Sequence, residues 1–109
     1  MGMVMHRFDI WLINLNPATG KELRKTRPCM IISPDESNER LATIIAVPMT
    51  TVLRKYPTRI NCNFQSKKGQ LAFDQMRTFD KTRLVKHLGV MDTSTSKKAC
   101  TLLKEMFEY

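Results

Sequence analysis

Residues 8–15 (FDIWLINL) are rich in aromatic and β-branched side chains and stop at Asn16-Pro17, which predicts a strand. Residues 16–27 (NPATGKELRKTR) carry Pro, Gly and several charges with no apolar period. They read as a long loop, a kind of segment that often carries the function of a small domain. Residues 28–33 (PCMIIS) predict a second strand with Pro28 confined to its first position. Residues 34–40 are polar and read as a connection. Residues 41–47 (LATIIAV) are almost continuously apolar, as a central strand is, and Pro48 is expected to end it, with Met49-Thr50-Thr51 opening a loop. Residues 58–64 (TRINCNF) alternate polar and apolar like a half-buried strand, and residues 66–69 turn the chain. Residues 70–74 (QLAFD) and 76–79 (MRTF) predict short strands, and residues 80–86 suggest a helical turn that ends in a basic stretch. The C-terminal pattern changes. Asp92, Thr93 and Ser94 offer N-caps, and Ala99, Leu102, Leu103, Met106 and Phe107 then share one face of a helix. That stripe is expected to pack on the sheet or on a second subunit. Many short strands with one closing helix predict a single domain over residues 1–109, mainly β (α+β by some counts), built as a small β-barrel.

Composition narrows the classes. With 109 residues and 42% apolar positions the chain can build one core, and disorder is not expected. A domain this small gains from pairing. Lys and Arg number 18 against 10 Asp and Glu, a net charge of +8 that attracts polyanions. Cys29, Cys62 and Cys100 form no CxxC pair and only two histidines are present, so neither a structural zinc site nor a cofactor is expected. There is no secretory apolar region and no run near the length of a membrane span. A cytoplasmic protein with three free, core-packing thiols is the expectation, with no membrane partner.

Chemistry-bearing groups gather in the predicted loops and strand ends. Lys21, Arg24, Lys25 and Arg27 surround Glu22. Such a cluster is ordinarily a solvated loop, but in a basic chain it is a candidate for phosphate contact. Arg27 precedes a strand directly and is better held than a loop-tip residue. Thr50 and Thr51 by themselves read as turn residues, and Asp74, beside Gln75 and Arg77, as half of a surface ion pair. Together, a fixed cation, a hydroxyl and a carboxylate are groups that phosphodiester chemistry uses. RNA cleaves itself when its 2′-OH attacks the neighbouring phosphorus, and a base, a cation and a hydrogen-bond donor are sufficient catalysts. His6 and His87 are the alternative acid–base pair, but one lies near the N-terminus and the other in the basic stretch, and both read as surface residues.

Three ordered segments resemble the MazF/PemK/Kid family of toxin–antitoxin ribonucleases. FDIWLINLNPATGKELRKTRPCMIIS is similar to its opening strand, D/N-P-x-x-G-x-E loop and R-P strand. AVPMTT resembles its V-P-hydrophobic-T segment, and LAFDQMRTFDKTRL its D-Q-x-R-T-hydrophobic-D stretch. The resemblance implies a homodimer of SH3-like barrels with helices, CcdB/PemK-like in architecture. The implied activity is metal-independent, sequence-specific cleavage of single-stranded RNA to a 2′,3′-cyclic phosphate. It also implies inhibition by a small acidic antitoxin, with operator DNA bound, if at all, only by the toxin–antitoxin complex. By the same resemblance Arg27 stabilises the phosphorane, Thr50 hydrogen-bonds phosphate and Asp74 is a general-base candidate. Lys21, Glu22, Arg24, Lys25, Thr51, Gln75 and Arg77 are expected to face RNA. Phe8 stands where the family opening has Gly, so the strand is expected to start with a different bend. Phe73, beside Asp74, is expected to pack in the core or to stack on a base. Two alternatives stay in view: a gyrase poison of the CcdB type, and a non-catalytic SH3-like nucleic-acid binder. The first acts through a C-terminal tryptophan motif, whereas Trp11 is the only tryptophan here.

Overall fold

The computed structural model describes residues 4–15 and 25–109. Lys21, Glu22 and Arg24 lie outside the described residues. Seven strands and two helices follow in the order β1 (Asp9–Asn14), β2 (Thr26–Ile31), α1 (Asp35–Arg40), β3 (Thr43–Thr50), β4 (Arg59–Phe64), β5 (Lys67–Ala72), β6 (Arg77–Asp80), β7 (Leu84–Val90) and α2 (Thr93–Met106), with 3-10 turns at Phe73–Gln75 and Lys81–Arg83. The strands run antiparallel to their partners in the order β4-β5-β3-β2-β1-β7, and β6 joins the side of β3. No described helix is long and apolar enough to cross a membrane.

Alternation sorts β1 and β2 between two cores, because successive side chains of a strand leave opposite faces. Trp11, Ile13, Cys29 and Ile31 join Ile44, Ala46, Phe79 and Leu84 on one face. Ile10, Met30 and Ile32 join Val47, Leu71, Phe73, Met91 and Ala99 on the other, with Leu102, Leu103 and Met106 of α2 packed against them. The helix therefore docks its apolar stripe on the sheet. Covering both faces makes these strands read as nearly unbroken apolar runs. Phe73 is fully buried, which places it in the core and removes it from base stacking.

Several sequence expectations change. The sheet is not closed into a barrel: among the described residues its outer strands, β4 and β7, share no ladder. Side chains bridge them instead. Gln65 Nε2 donates to the Leu88 carbonyl at 3.1 Å. The Phe64 ring lies where a Cβ on Gly89 would come within 3.2 Å of it. Pro48 does not end β3, which runs on to Thr50. One edge of β3 pairs with β6 through Ala46 and with β5 from Met49, so Pro48 sits at the changeover, where a missing N–H costs that edge no rung. Pro28 is likewise inside β2, opposite Leu12. The connection after β2 contains helix α1, whose one buried residue, Asn38, donates to the Ser33 carbonyl at 2.9 Å and meets the Ser33 hydroxyl. Residues 84–90 form β7, so His87 lies on a strand and the helical turn is confined to Lys81–Arg83.

Candidate active site

The pairing of β2 with β3 sets Cys29 opposite Pro48. Beyond that last rung Arg27 of β2 and Thr50 of β3 both line one cleft of about 260 Å³, with Pro28, Met49, Thr51 and Cys62. Phe64 and Gln65 at the β4–β5 turn and Lys67, Lys68 and Gly69 of β5 complete it. A Cβ on Gly69 would lie 2.7 Å from the Thr50 carbonyl oxygen, so β5 can close on the end of β3 only through a glycine.

Arg27 is half-buried, and its guanidinium forms no hydrogen bond or ion pair among the described residues. Its charge is felt nearby: burial pushes the Cys29 thiol up to about 12, while Arg27 and Arg77 pull it back. Burial likewise raises Cys62, so both thiols stay protonated at neutral pH. Thr50 is 8% exposed, and its Oγ1 accepts the Val52 N–H at 3.1 Å. A hydroxyl whose oxygen is already accepting keeps its proton to donate. The cleft thus presents a guanidinium with no partner among the described residues, a hydroxyl with its proton free to donate, and two lysines beside apolar lining residues. No carboxylate or imidazole is among its described lining.

The other expected site residues fall elsewhere. Asp74 sits in the 3-10 turn after β5, outside the cleft lining. Its Oδ1 accepts from Arg59 Nε at 2.8 Å and from Thr58 Oγ1 at 3.1 Å. The bond to Arg59 holds the carboxyl below the usual 3.8, opposite to the upward shift that suits a general base. Gln75, beside it, is exposed. Arg77 is exposed on β6 with its guanidinium 4.7 Å from the Phe79 ring centre, and Lys25 is exposed ahead of β2. His6 lies 3.8 Å from Asp35, and His87 lies 3.6 Å from Asp9 with its ring in a T-shaped contact with Trp11. Neither histidine lines the cleft. Phe64, Gln65, Lys67 and Lys68 were not singled out in the sequence. Paired lysines ahead of a glycine were their available signal, and the pattern showed only a turn. Among the described residues no group of three His, Cys, Asp or Glu side chains could hold a metal ion.

A family model of PemK-like, MazF-like toxins of type II toxin–antitoxin systems matches residues 6–107. The chain belongs to this family. Among relatives, the "Endoribonuclease MazF" of Staphylococcus epidermidis is 31% identical over 97 residues, 84% of this chain and 81% of that protein. The "Endoribonuclease MazF" of Staphylococcus saprophyticus is 30% identical over 101 residues, 87% and 84% of the two chains. Among solved structures, a mycobacterial endoribonuclease in complex with its cognate antitoxin superposes with a TM-score of 0.78 at 25% identity, over 93% of this chain and 92% of that one. MazE–MazF of Deinococcus radiodurans reaches a TM-score of 0.82 at 20% identity over 96% of each chain, a likeness of fold.

Proposed function

We propose that this toxin-family chain is an endoribonuclease that cleaves single-stranded RNA at the cleft holding Arg27 and Thr50. The observation that carries the reading is that one cleft is lined by Arg27, half-buried and without a hydrogen-bond partner among the described residues, and by Thr50, whose hydroxyl oxygen accepts the Val52 N–H and leaves its proton free to donate. In the reaction the 2′-oxygen bonds to phosphorus, the P–O5′ bond breaks, the 2′ proton is removed and the 5′-oxygen gains one. Arg27 neutralises charge on the equatorial phosphoryl oxygens, and Thr50 donates to one of them. An arginine stays charged and acts by stabilisation. Lys67 and Lys68 hold the flanking phosphates. In-line attack needs a flexible backbone, so an unpaired strand is the substrate.

Arg27→Ala lowers turnover by about a hundredfold or more with the fold intact, the scale seen when one transition-state donor is lost. Arg27→Lys rescues poorly because an ammonium lacks the planar fork. Cleavage persists in EDTA and leaves a cyclic phosphate or its 3′-phosphate product. Wild-type rates in Arg27→Ala would move the site elsewhere. Two of the similar structures are toxins with their antitoxins. By extension a small acidic antitoxin inhibits this chain by covering its cationic surface. The working unit is a homodimer, which sedimentation reads as about twice the 12.6 kDa chain mass.

A further inference from the structure

Residues 51–57 leave β3 as an exposed segment, with Val52 50%, Leu53 61% and Tyr56 48% exposed. Two buried polar side chains of the sheet grip its backbone. Gln70, 7% exposed and paired across the ladder with Thr50, accepts the Arg54 N–H at 3.0 Å and donates to the Arg54 carbonyl at 3.2 Å. Its amide thus replaces a strand rung. Arg59, with a side chain only 5% exposed, donates to the Val52 carbonyl at 3.2 Å, to Gln70 Oε1 at 3.3 Å and to Asp74 at 2.8 Å. Its guanidinium also lies 5.1 Å from the Tyr56 ring centre. The residue so clamped, Val52, is the one whose N–H engages Thr50 Oγ1.

We infer that Arg59 and Gln70 are positioning residues for the cleavage reaction, clamping Val52 so that the Thr50 hydroxyl is presented as a donor, and that Asp74 serves to hold Arg59. The inference rests on the reading of Thr50 as a phosphate donor. Without the clamp the 51–57 segment loses its tether. The Thr50 hydroxyl then regains a rotor that can turn its proton onto the local backbone. The assignment also accounts for a nearly buried guanidinium beside, but outside, the cleft. Four of its five N–H donors are spent on a carbonyl, an amide oxygen and a carboxylate.

The test is a double-mutant cycle on cleavage of a fluorogenic single-stranded RNA oligonucleotide, with thermal melts of each variant. Arg59→Ala is expected to lower kcat about tenfold with KM within about twofold, the scale of one displaced hydrogen bond to a charged group. On a Thr50→Ala background the same change costs less than about twofold, because the two act through one atom. Full additivity of the two losses would overturn the inference. If Arg59→Ala does not fold, Gln70→Ala takes its place in the cycle with the same expectation. Arg59→Lys does not restore kcat, since one ammonium cannot span three acceptors. Asp74→Asn keeps an acceptor for Arg59 and stays within about fivefold of wild type, with the shape of the pH–rate profile unchanged. A hundredfold loss with disappearance of the acidic limb would make Asp74 the base and sink the positioning role. A Thr50→Ala variant that cleaves at the wild-type rate would remove the reading of the cleft itself. Additivity alone, with Thr50→Ala slow, would remove only the clamp.

Discussion

Phe8 holds φ at +75°, a left-handed conformation that glycine adopts freely and a phenylalanine does not. Its neighbours enforce it: the Phe8 N–H donates to the Ile31 carbonyl at 2.7 Å, and its carbonyl accepts the Met91 N–H at 2.9 Å. The ring, half-buried against the α2-side core, offsets part of the strain. Two variants separate these effects, because both lose the ring and only one relieves the backbone. Phe8→Gly is expected to be more stable than Phe8→Ala by about 1 kcal/mol in urea unfolding. Equal stabilities would show that the positive φ costs nothing. Asp74 gives a second residue-scale expectation. Its carboxyl is held below 3.8 by Arg59, so its contribution is complete above that value and is lost as pH falls through the lower folded value. The wild-type advantage over Asp74→Asn in urea unfolding is therefore present at pH 7 and shrinks below about pH 4, an effect kept small by solvent because the side chain is 30% exposed. A gap that widens on acidification would contradict the pairing. The sequence singled out Asp74 by its motif. What it could not show was that Arg59, on a strand that alternates like any half-buried one, would claim that carboxylate.

Among the elements, α2 was the most legible, because fourteen residues give a helical period room to repeat. Its start was legible too. The Asp92 carboxylate accepts the Thr95 N–H at 2.9 Å and the Thr95 hydroxyl at 2.8 Å. Asp92→Ala is expected to cost about 1 kcal/mol in thermal unfolding, the usual worth of such a cap. No loss would mean that tertiary packing alone fixes the helix start. Helix α1 and strand β7 were missed because each buries a single residue and so shows no repeating pattern. Six residues with one buried side chain show no period, and α1 forms because Asn38 is tied to Ser33. Only Leu84 of β7 is buried, so its pattern lacks alternation, and register shifts in its pairing with β1 blur it further. It becomes a strand because β1 offers an unpaired edge.

On the scale of the whole molecule, the +8 charge makes polyanion binding salt-dependent. RNA affinity is expected to fall steeply between 50 and 200 mM salt, roughly in proportion to the number of phosphates neutralised. One oligonucleotide, single-stranded and then annealed to its complement, should be cut only in the first form at matched salt. Equal cutting would mean that the site reads duplex shape. The sequence by itself determined the strand-rich class, the closing helix, the basic field and the identity of Arg27 and Thr50 as chemical groups. Each of these is a property of local residue type or of a period that repeats along the chain. Only the tertiary structure decided which groups meet. The pairing of β2 with β3 puts Arg27 and Thr50, 23 positions apart in the chain, on the lining of one cleft, and Gly69 lets β5 close it. Arg59 withdraws Asp74 from it. Such contacts depend on pairing between segments far apart in the chain, which no local pattern encodes, and the same non-local pairing leaves the sheet open where a closed barrel was expected.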